Sequence, residues 1–238
     1  MVVTVSAALR EAIVAKKIPR EKINVIPNGA NMKRFAPGAA LPQQLERLNL
    51  RGKFVVGYVG THGLAQGLES LVDAAEILRD REDIHFLMVG EGARRTAMMD
   101  LATSRNLQNI TFVGAVPAAQ VSQYLAACDA IVVPLRKSSI SPGAIPSKIF
   151  DAAAMSRPII LAVDGISAEL IKEYEAGVVT EPENAEALAQ TILELKASPE
   201  TCKRLGGGAQ MIARDYDRER LADLMLEHIA KIAGNTIS

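Results

Sequence analysis

Phe54-Val55-Val56-Gly57-Tyr58-Val59-Gly60-Thr61-His62-Gly63-Leu64-Ala65-Gln66-Gly67 decides the fold. Its first six residues are apolar apart from a glycine and a tyrosine, with no polar alternation, the pattern of a strand buried on both faces. A glycine-rich break follows, and Leu68, Leu71, Val72, Ala75 and Leu78 then recur at helical spacing. The same unit repeats downstream. Ile84–Val89 is a second strand, followed by a helix over residues 93–105, and Ile110–Val113 is a third. A helix entered at Pro117 ends near Cys128, and Ala130–Val133 is a fourth strand that Pro134 should stop. Residues 147–156 read as a helix, 158–163 and 177–180 as strands, and 184–197, 199–212 and 217–233 as closing helices. Alternating strands and helices with right-handed crossovers predict an α/β protein with a doubly wound, Rossmann-like parallel sheet.

Upstream of that unit the pattern changes. Val2–Val5 reads as a strand with nothing before it to pair, residues 7–16 as a short amphipathic helix, and Lys22–Ile26 as another strand closed by a Pro27-Asn28-Gly29 turn. Residues 31–43 hold two prolines and little periodicity, which suits a linker. Met1 directly before a buried-looking strand leads us to expect a further N-terminal portion.

The composition narrows the partners. At 49% hydrophobic and 23% charged residues, the chain can bury a core. Lys plus Arg and Asp plus Glu both number 27, and a balanced charge speaks against nucleic acid as partner while leaving room for a local basic pocket. Two cysteines, Cys128 and Cys202, provide neither a disulfide framework nor a four-ligand zinc site. No apolar run reaches the roughly 18 residues of a membrane span, and residues 1–15 lack the basic and apolar regions of a signal peptide. The expectation is a soluble, cytoplasmic protein.

In an open parallel sheet, ligands bind beyond the carboxyl ends of the strands, so the residues just after each strand carry the chemistry. Gly60 to Gly67 lets backbone approach a ligand and leads into a helix N-terminus, although it matches neither the dinucleotide fingerprint nor a Walker A loop. Gly90-Glu91-Gly92 and Gly114-Ala115-Val116 repeat the glycine-bearing exit. After the fourth strand, a long loop leads to Ser147 and Lys148 in the first turn of a helix. A lysine there conflicts with the helix dipole unless an anion sits between them, so the pair reads as a diphosphate site that needs no metal. Asp151, one turn on, either faces the same site or is merely an exposed carboxylate. His62 either touches a phosphate or sugar or serves the loop alone, while His85 and His228 read as structural. Asp215-Tyr216-Asp217 has the form of a metal-binding D-x-D, but the following Arg218-Glu219-Arg220 makes Asp217 a helix N-cap. No Ser-His-Asp or Cys-His set stands out.

Taken in order, Val3–Ser6, Lys22-Ile-Asn-Val-Ile-Pro-Asn-Gly29 and Phe35-Ala-Pro37 resemble the domain crossover of retaining, nucleotide-sugar-dependent glycosyltransferases of the GT-B fold, the group 1 or family 4 enzymes. The resemblance continues through Val56–Gly60, Phe86–Gly92, Pro146–Asp151 and Arg157–Ile160, nearly the whole chain. It implies that residues 1–40 close an N-terminal domain and cross over, 41–214 form the donor-binding domain, and 215–238 a C-terminal helix. It implies Lys148 and His62 as catalytic residues. Gly60, Thr61, Gly63, Gln66, Gly90, Glu91, Gly114, Val116, Gly143, Ala144, Ile145, Ser147 and Asp151 would contact the donor, a nucleoside-diphosphate sugar with UDP foremost, without a metal cofactor. The acceptor, a polysaccharide or lipid-linked sugar, would belong to an N-terminal domain absent here, leaving this fragment inactive in transfer. Peripheral association of the full-length enzyme with the inner face of the plasma membrane is compatible with that role. The chain departs from the family in two respects: Thr61 and Gln66 stand where it commonly has arginine and lysine, and Gly143 and Asp151 where it commonly has two glutamates. The Gly60–Gly67 loop with Pro146-Ser147-Lys148 resembles the branch that transfers amino-deoxy sugars such as N-acetylfucosamine. A nucleotide-sugar 2-epimerase, which shares the architecture, and a non-catalytic binding module are the alternatives.

Overall fold

The computed structural model describes residues 1–38, 46–137, 143 and 145–234. Strand β1 (Val2–Thr4) pairs in parallel with β2 (Ile23–Val25) across helix α1 (Ala7–Val14), so the first strand finds its partner downstream. Ser6 caps α1, its hydroxyl accepting from the Leu9 N–H at 3.1 Å.

The main sheet has six parallel strands: β3 (Phe54–Val59), β4 (Ile84–Val89), β5 (Ile110–Val113), β6 (Ala130–Pro134), β7 (Ile159–Ala162) and β8 (Gly177–Val179). Their spatial order is β5-β4-β3-β6-β7-β8, the doubly wound order, with the chain reversing direction across the sheet between β3 and β6. A crevice therefore opens beyond the carboxyl ends of β3 and β6. Helices α2 (Glu69–Ile77), α3 (Arg95–Ser104), α4 (Val121–Ala126), α5 (Lys148–Ala154), α6 (Ile166–Glu173), α7 (Ala185–Ala197) and α8 (Pro199–Asp215) cover the two faces, and α9 (Arg218–Gly234) follows.

Alternation along the strands builds two cores. Val55, Leu87, Val89, Ile131, Val133, Ile159 and Leu161 face one way, onto Ile149, Phe150 and Ile212. Val56, Tyr58, Phe86, Met88, Val132 and Ile160 face the other, onto Leu71, Leu188 and Ile192. Caps fix the last long helices: Asn184 accepts from Ala187 N–H at 2.9 Å, and Ser198 accepts from Thr201 N–H at 3.3 Å with Pro199 in the first turn.

Two local expectations change. β6 runs through Pro134, which lies opposite Ala162, rather than stopping before it. The described part of the segment read as a linker is also anchored: Phe35 is buried in the core, and just before the segment the carbonyl of Ala30 accepts from Arg218 N–H at the start of α9.

Candidate active site

The three glycine-bearing exits meet at one edge of the sheet. Gly60 N–H donates to the Val89 carbonyl and Gly90 N–H to that of Val113, each at 2.9 Å, and the Gly90 α-carbon packs on the Gly60 carbonyl. Tyr58, fully buried beneath them, donates its hydroxyl to the Thr61 carbonyl at 2.5 Å and so ties the loop to the strand that launches it. Behind the loop, Arg136 donates to the Leu64 carbonyl at 2.9 Å and to Glu69, which also holds Arg94.

A cavity of about 500 Å³ opens at this edge, walled by Gly60, Thr61, Gly90, Glu91, Val116, Ser147, Lys148 and Asp151 among others. The sequence points to all eight, and the fold brings them together. Lys148 and Asp151 both lie in the first turn of α5, at positions i and i+3. The Lys148 ammonium stands 5.4 Å from the centre of the Tyr58 ring and makes no hydrogen bond or ion pair with another described residue. Burial lowers its pKa, and only Asp151 opposes that shift. Burial also raises the carboxyl pKa of Asp151, against the pull of Arg218, Arg34 and Lys148. Glu91 lies against the bare α-carbon of Gly114 and 3.5 Å from Arg95, so Gly114 shapes the wall by admitting the glutamate.

Other expected residues lie elsewhere. His62 is fully buried and its ring packs between Tyr58 and Phe112, at 5.4 and 6.5 Å between centroids, rather than facing the cavity. Burial, reinforced by Arg95, lowers its pKa and favours the neutral imidazole. The Gln66 side chain folds back onto Gly63, and neither lines the cavity. Ile145 packs on the core, Gly143 abuts Ser6 and Leu9 at the start of α1, and Ala144 falls outside the described residues. Of the D-x-D stretch, Asp215 accepts the Tyr174 hydroxyl at 2.7 Å, and the Asp217 carbonyl accepts from Leu221 N–H at 3.0 Å to start α9.

Sequence reasoning missed Arg34, Phe35 and Arg218, which complete the cavity wall. Arg218 carried a usable signal, a cation in the first turn of a helix, the same conflict that singled out Lys148. Arg34 carried none. With them the wall holds three cations against two carboxylates, Glu91 and Asp151, and Glu91 is already engaged by Arg95. Such a cavity suits a ligand with anionic oxygens beside the Gly60 backbone and hydroxyls beside Asp151.

Comparison with known proteins bears on the fold and the family. The chain is 27% identical over 225 residues to a D-inositol 3-phosphate glycosyltransferase of Segniliparus rotundus, matching 92% of this chain and 49% of that one. It is 28% identical over 245 residues to an alpha-galactosylglucosyldiacylglycerol synthase of Streptococcus pneumoniae, with 98% and 61% covered. It thus spans about half the length of such relatives. The fold superposes on Anabaena Alr3699/HepE in complex with UDP and glucose with a TM-score of 0.82 at 21% identity, covering 97% of this chain and 62% of that one. It matches the sucrose-phosphate synthase of Thermosynechococcus elongatus with a TM-score of 0.80 at 24% identity, covering 98% and 58%. Residues 43–211 match the family described as glycosyl transferases group 1, and since that stretch is well over half of the sequence, the chain belongs to the group 1 glycosyltransferases.

Proposed function

We propose that this chain is the donor-binding part of a retaining glycosyltransferase that takes a nucleoside-diphosphate sugar, with UDP as the nucleotide, and passes the sugar to a polysaccharide or lipid-linked acceptor. One observation carries the reading: the unpaired, desolvated ammonium of Lys148 lies beside the Gly60 backbone in the cavity that also holds Asp151. The complex of Anabaena HepE with UDP, alike in fold, supports the choice of nucleotide.

In this assignment Lys148 and the Thr61 amide, beside the bare α-carbon of Gly60, meet the diphosphate. When the bond between the anomeric carbon and the diphosphate oxygen breaks, negative charge grows on that oxygen, and a fixed ammonium in a low-dielectric wall stabilises it without reorganising. Asp151 accepts from the ribose hydroxyls, and Glu91 with residues 114–116 borders the nucleoside. No metal enters the scheme, because Lys148 supplies the charge that a divalent cation would. The division into residues 1–40 (crossover), 41–214 (donor domain) and 215–238 (closing helix) belongs to the same reading, as does peripheral membrane association of the longer enzyme.

Calorimetry with UDP, GDP and 2′-deoxyuridine diphosphate, with and without EDTA, tests it. UDP should bind, EDTA should change nothing, and the deoxy analogue should bind less tightly. No binding at millimolar UDP would overturn the assignment. Transfer is a separate matter, since the acceptor site lies, in this reading, outside these residues. Proximity and orientation account for roughly 7–11 kcal/mol of such barriers, so the chain alone should show at most slow donor hydrolysis.

A further inference from the structure

Asp151 is the carboxylate of the cavity that stands free. Glu91 has Arg95 within 3.5 Å, whereas Asp151 makes no hydrogen bond or ion pair through its side chain with another described residue. Three cations nevertheless share its cavity wall. Lys148 sits one turn back on α5, while Arg34 and Arg218 arrive from segments far away in sequence, and Glu91 stands on another part of the cavity wall.

Both arginines are tethered away from the carboxylate. Arg34 donates to the Ala118 carbonyl at 2.8 Å, with its guanidinium 5.0 Å from the Phe35 ring, and Arg218 donates to the Gly29 carbonyl at 3.1 Å. Their two segments are stapled together by Ala30 N–H to the Tyr216 carbonyl at 2.8 Å and Arg218 N–H to the Ala30 carbonyl at 2.9 Å. The pair is thus a preformed unit. A guanidinium held by a backbone carbonyl supplies a field without closing a bidentate pair, which would consume the carboxylate oxygens.

Resting on the donor-site reading above, we propose that Arg34 and Arg218 are positioning residues, two tethered guanidiniums that keep the Asp151 carboxylate ionised yet unpaired, open to accept a vicinal diol such as the ribose of a nucleotide. Burial alone works against a charge on Asp151, and Arg218 and Arg34 oppose it more than Lys148 does. Neither arginine need touch the ligand. Their task is the state and availability of Asp151.

The test separates this role from the donor reading. In the ligand-free chain, the carboxyl carbon of Asp151, assigned by its loss in Asp151→Asn, is titrated by NMR. The midpoint should move to higher pH in Arg34→Gln and in Arg218→Gln, move further in the double variant, and return towards wild type with lysine at either position. An unchanged midpoint in folded variants overturns the proposal, whatever the chain binds. Should the double variant not fold, the single and lysine variants decide the matter by themselves. UDP and 2′-deoxyuridine diphosphate are then titrated calorimetrically across that pH range. UDP affinity should fall several-fold below the midpoint, and the deoxy analogue should follow pH less steeply. A shifted midpoint with both nucleotides bound equally at every pH would keep the arginine field but overturn the assignment of Asp151 to ribose.

Discussion

Lys148 lies across the α-carbon of Gly60: a methyl group placed there would overlap the lysine Cε and stand 3.0 Å from Nζ. Gly60 also has φ +148°, a conformation that a side chain disfavours. The glycine after the first strand of the sheet is therefore a seat for the lysine from the far side of the switch point. That contact links β3 to α5 and sets the phosphate end of the proposed donor site.

Removing the ammonium separates binding from folding. Lys148→Ala should weaken UDP binding by about 1.5–3 kcal/mol, the scale of a charge-assisted hydrogen bond. Its melting temperature should hold or rise, because an unpaired, half-buried ammonium costs folding free energy. Gly60→Ala should lose both, since the displaced lysine and the strained backbone act together. Calorimetry and thermal denaturation check the pair; unaltered UDP affinity in a folded Lys148→Ala would take the lysine out of the site.

Acid should destabilise the fold through His85. Burial, helped by Lys53, pushes its pKa down to about 4, and its Nε2 lies 2.8 Å from the Thr111 hydroxyl. The folded chain holds the imidazole neutral while the unfolded chain protonates it below its ordinary value of 6.5. The contribution is therefore complete above that value and is lost as pH falls towards the folded pKa, up to roughly 3 kcal/mol at 1.36 kcal/mol per unit. His62, also lowered by burial, acts in the same direction. Guanidinium unfolding between pH 7.5 and 4.5 should show that decline, and a shallower one for His85→Gln, which keeps a partner for Thr111. Equal slopes would remove His85 as the cause.

Much of the fold was legible because the apolar runs end where glycine begins. β3, β4 and β5 stop at Val59, Val89 and Val113, each directly before a glycine. Pro134 broke the local rule for a tertiary reason. Ile131 and Leu135 donate towards β7, so the donor that proline lacks would point to β3, whose pairing with β6 covers only Ala130 and Ile131. The site was half legible. Residues on strand exits and on the first turn of α5 follow from topology, whereas Arg34 and Arg218 reach the cavity through a staple between Ala30 and Tyr216 that no local periodicity encodes. His62 read as a phosphate or sugar contact or a plain loop residue from its glycine-rich setting, yet Tyr58 and Phe112 draw its ring inward.

Tyr58→Phe isolates the tie between strand and loop. The change removes the hydroxyl that holds the Thr61 carbonyl at 2.5 Å but keeps an aromatic ring under Lys148. Stability should fall by about 1 kcal/mol, the net value of one hydrogen bond. Amide exchange should quicken at residues 61–63 and stay unchanged in β4. An unaltered exchange pattern there would show that the loop is held by other contacts.

Three consecutive glycines in the middle of a helix, Gly206-Gly207-Gly208 in α8, ought to weaken it, and they differ in what they meet. A methyl at Gly206 would stand 2.5 Å from the Ser156 carbonyl, and one at Gly208 would run into the carbonyls of Tyr174 and Glu175. Ser156 and Glu175 have φ of +52° and +48° where the chain leaves α5 and α6, so α8 rests directly on two helix exits whose backbone cannot retreat. At Gly207 a methyl would meet nothing within 4 Å. Gly207→Ala should therefore stabilise the chain by about 1 kcal/mol through helix propensity alone. Gly206→Ala and Gly208→Ala should each destabilise it by roughly 1–3 kcal/mol, as overpacking does. Urea denaturation of the three variants reads the signs directly. Stabilisation by all three would mean that α8 can lift off the exits of α5 and α6. Destabilisation at Gly207 would place a neighbour where the structure has open solvent.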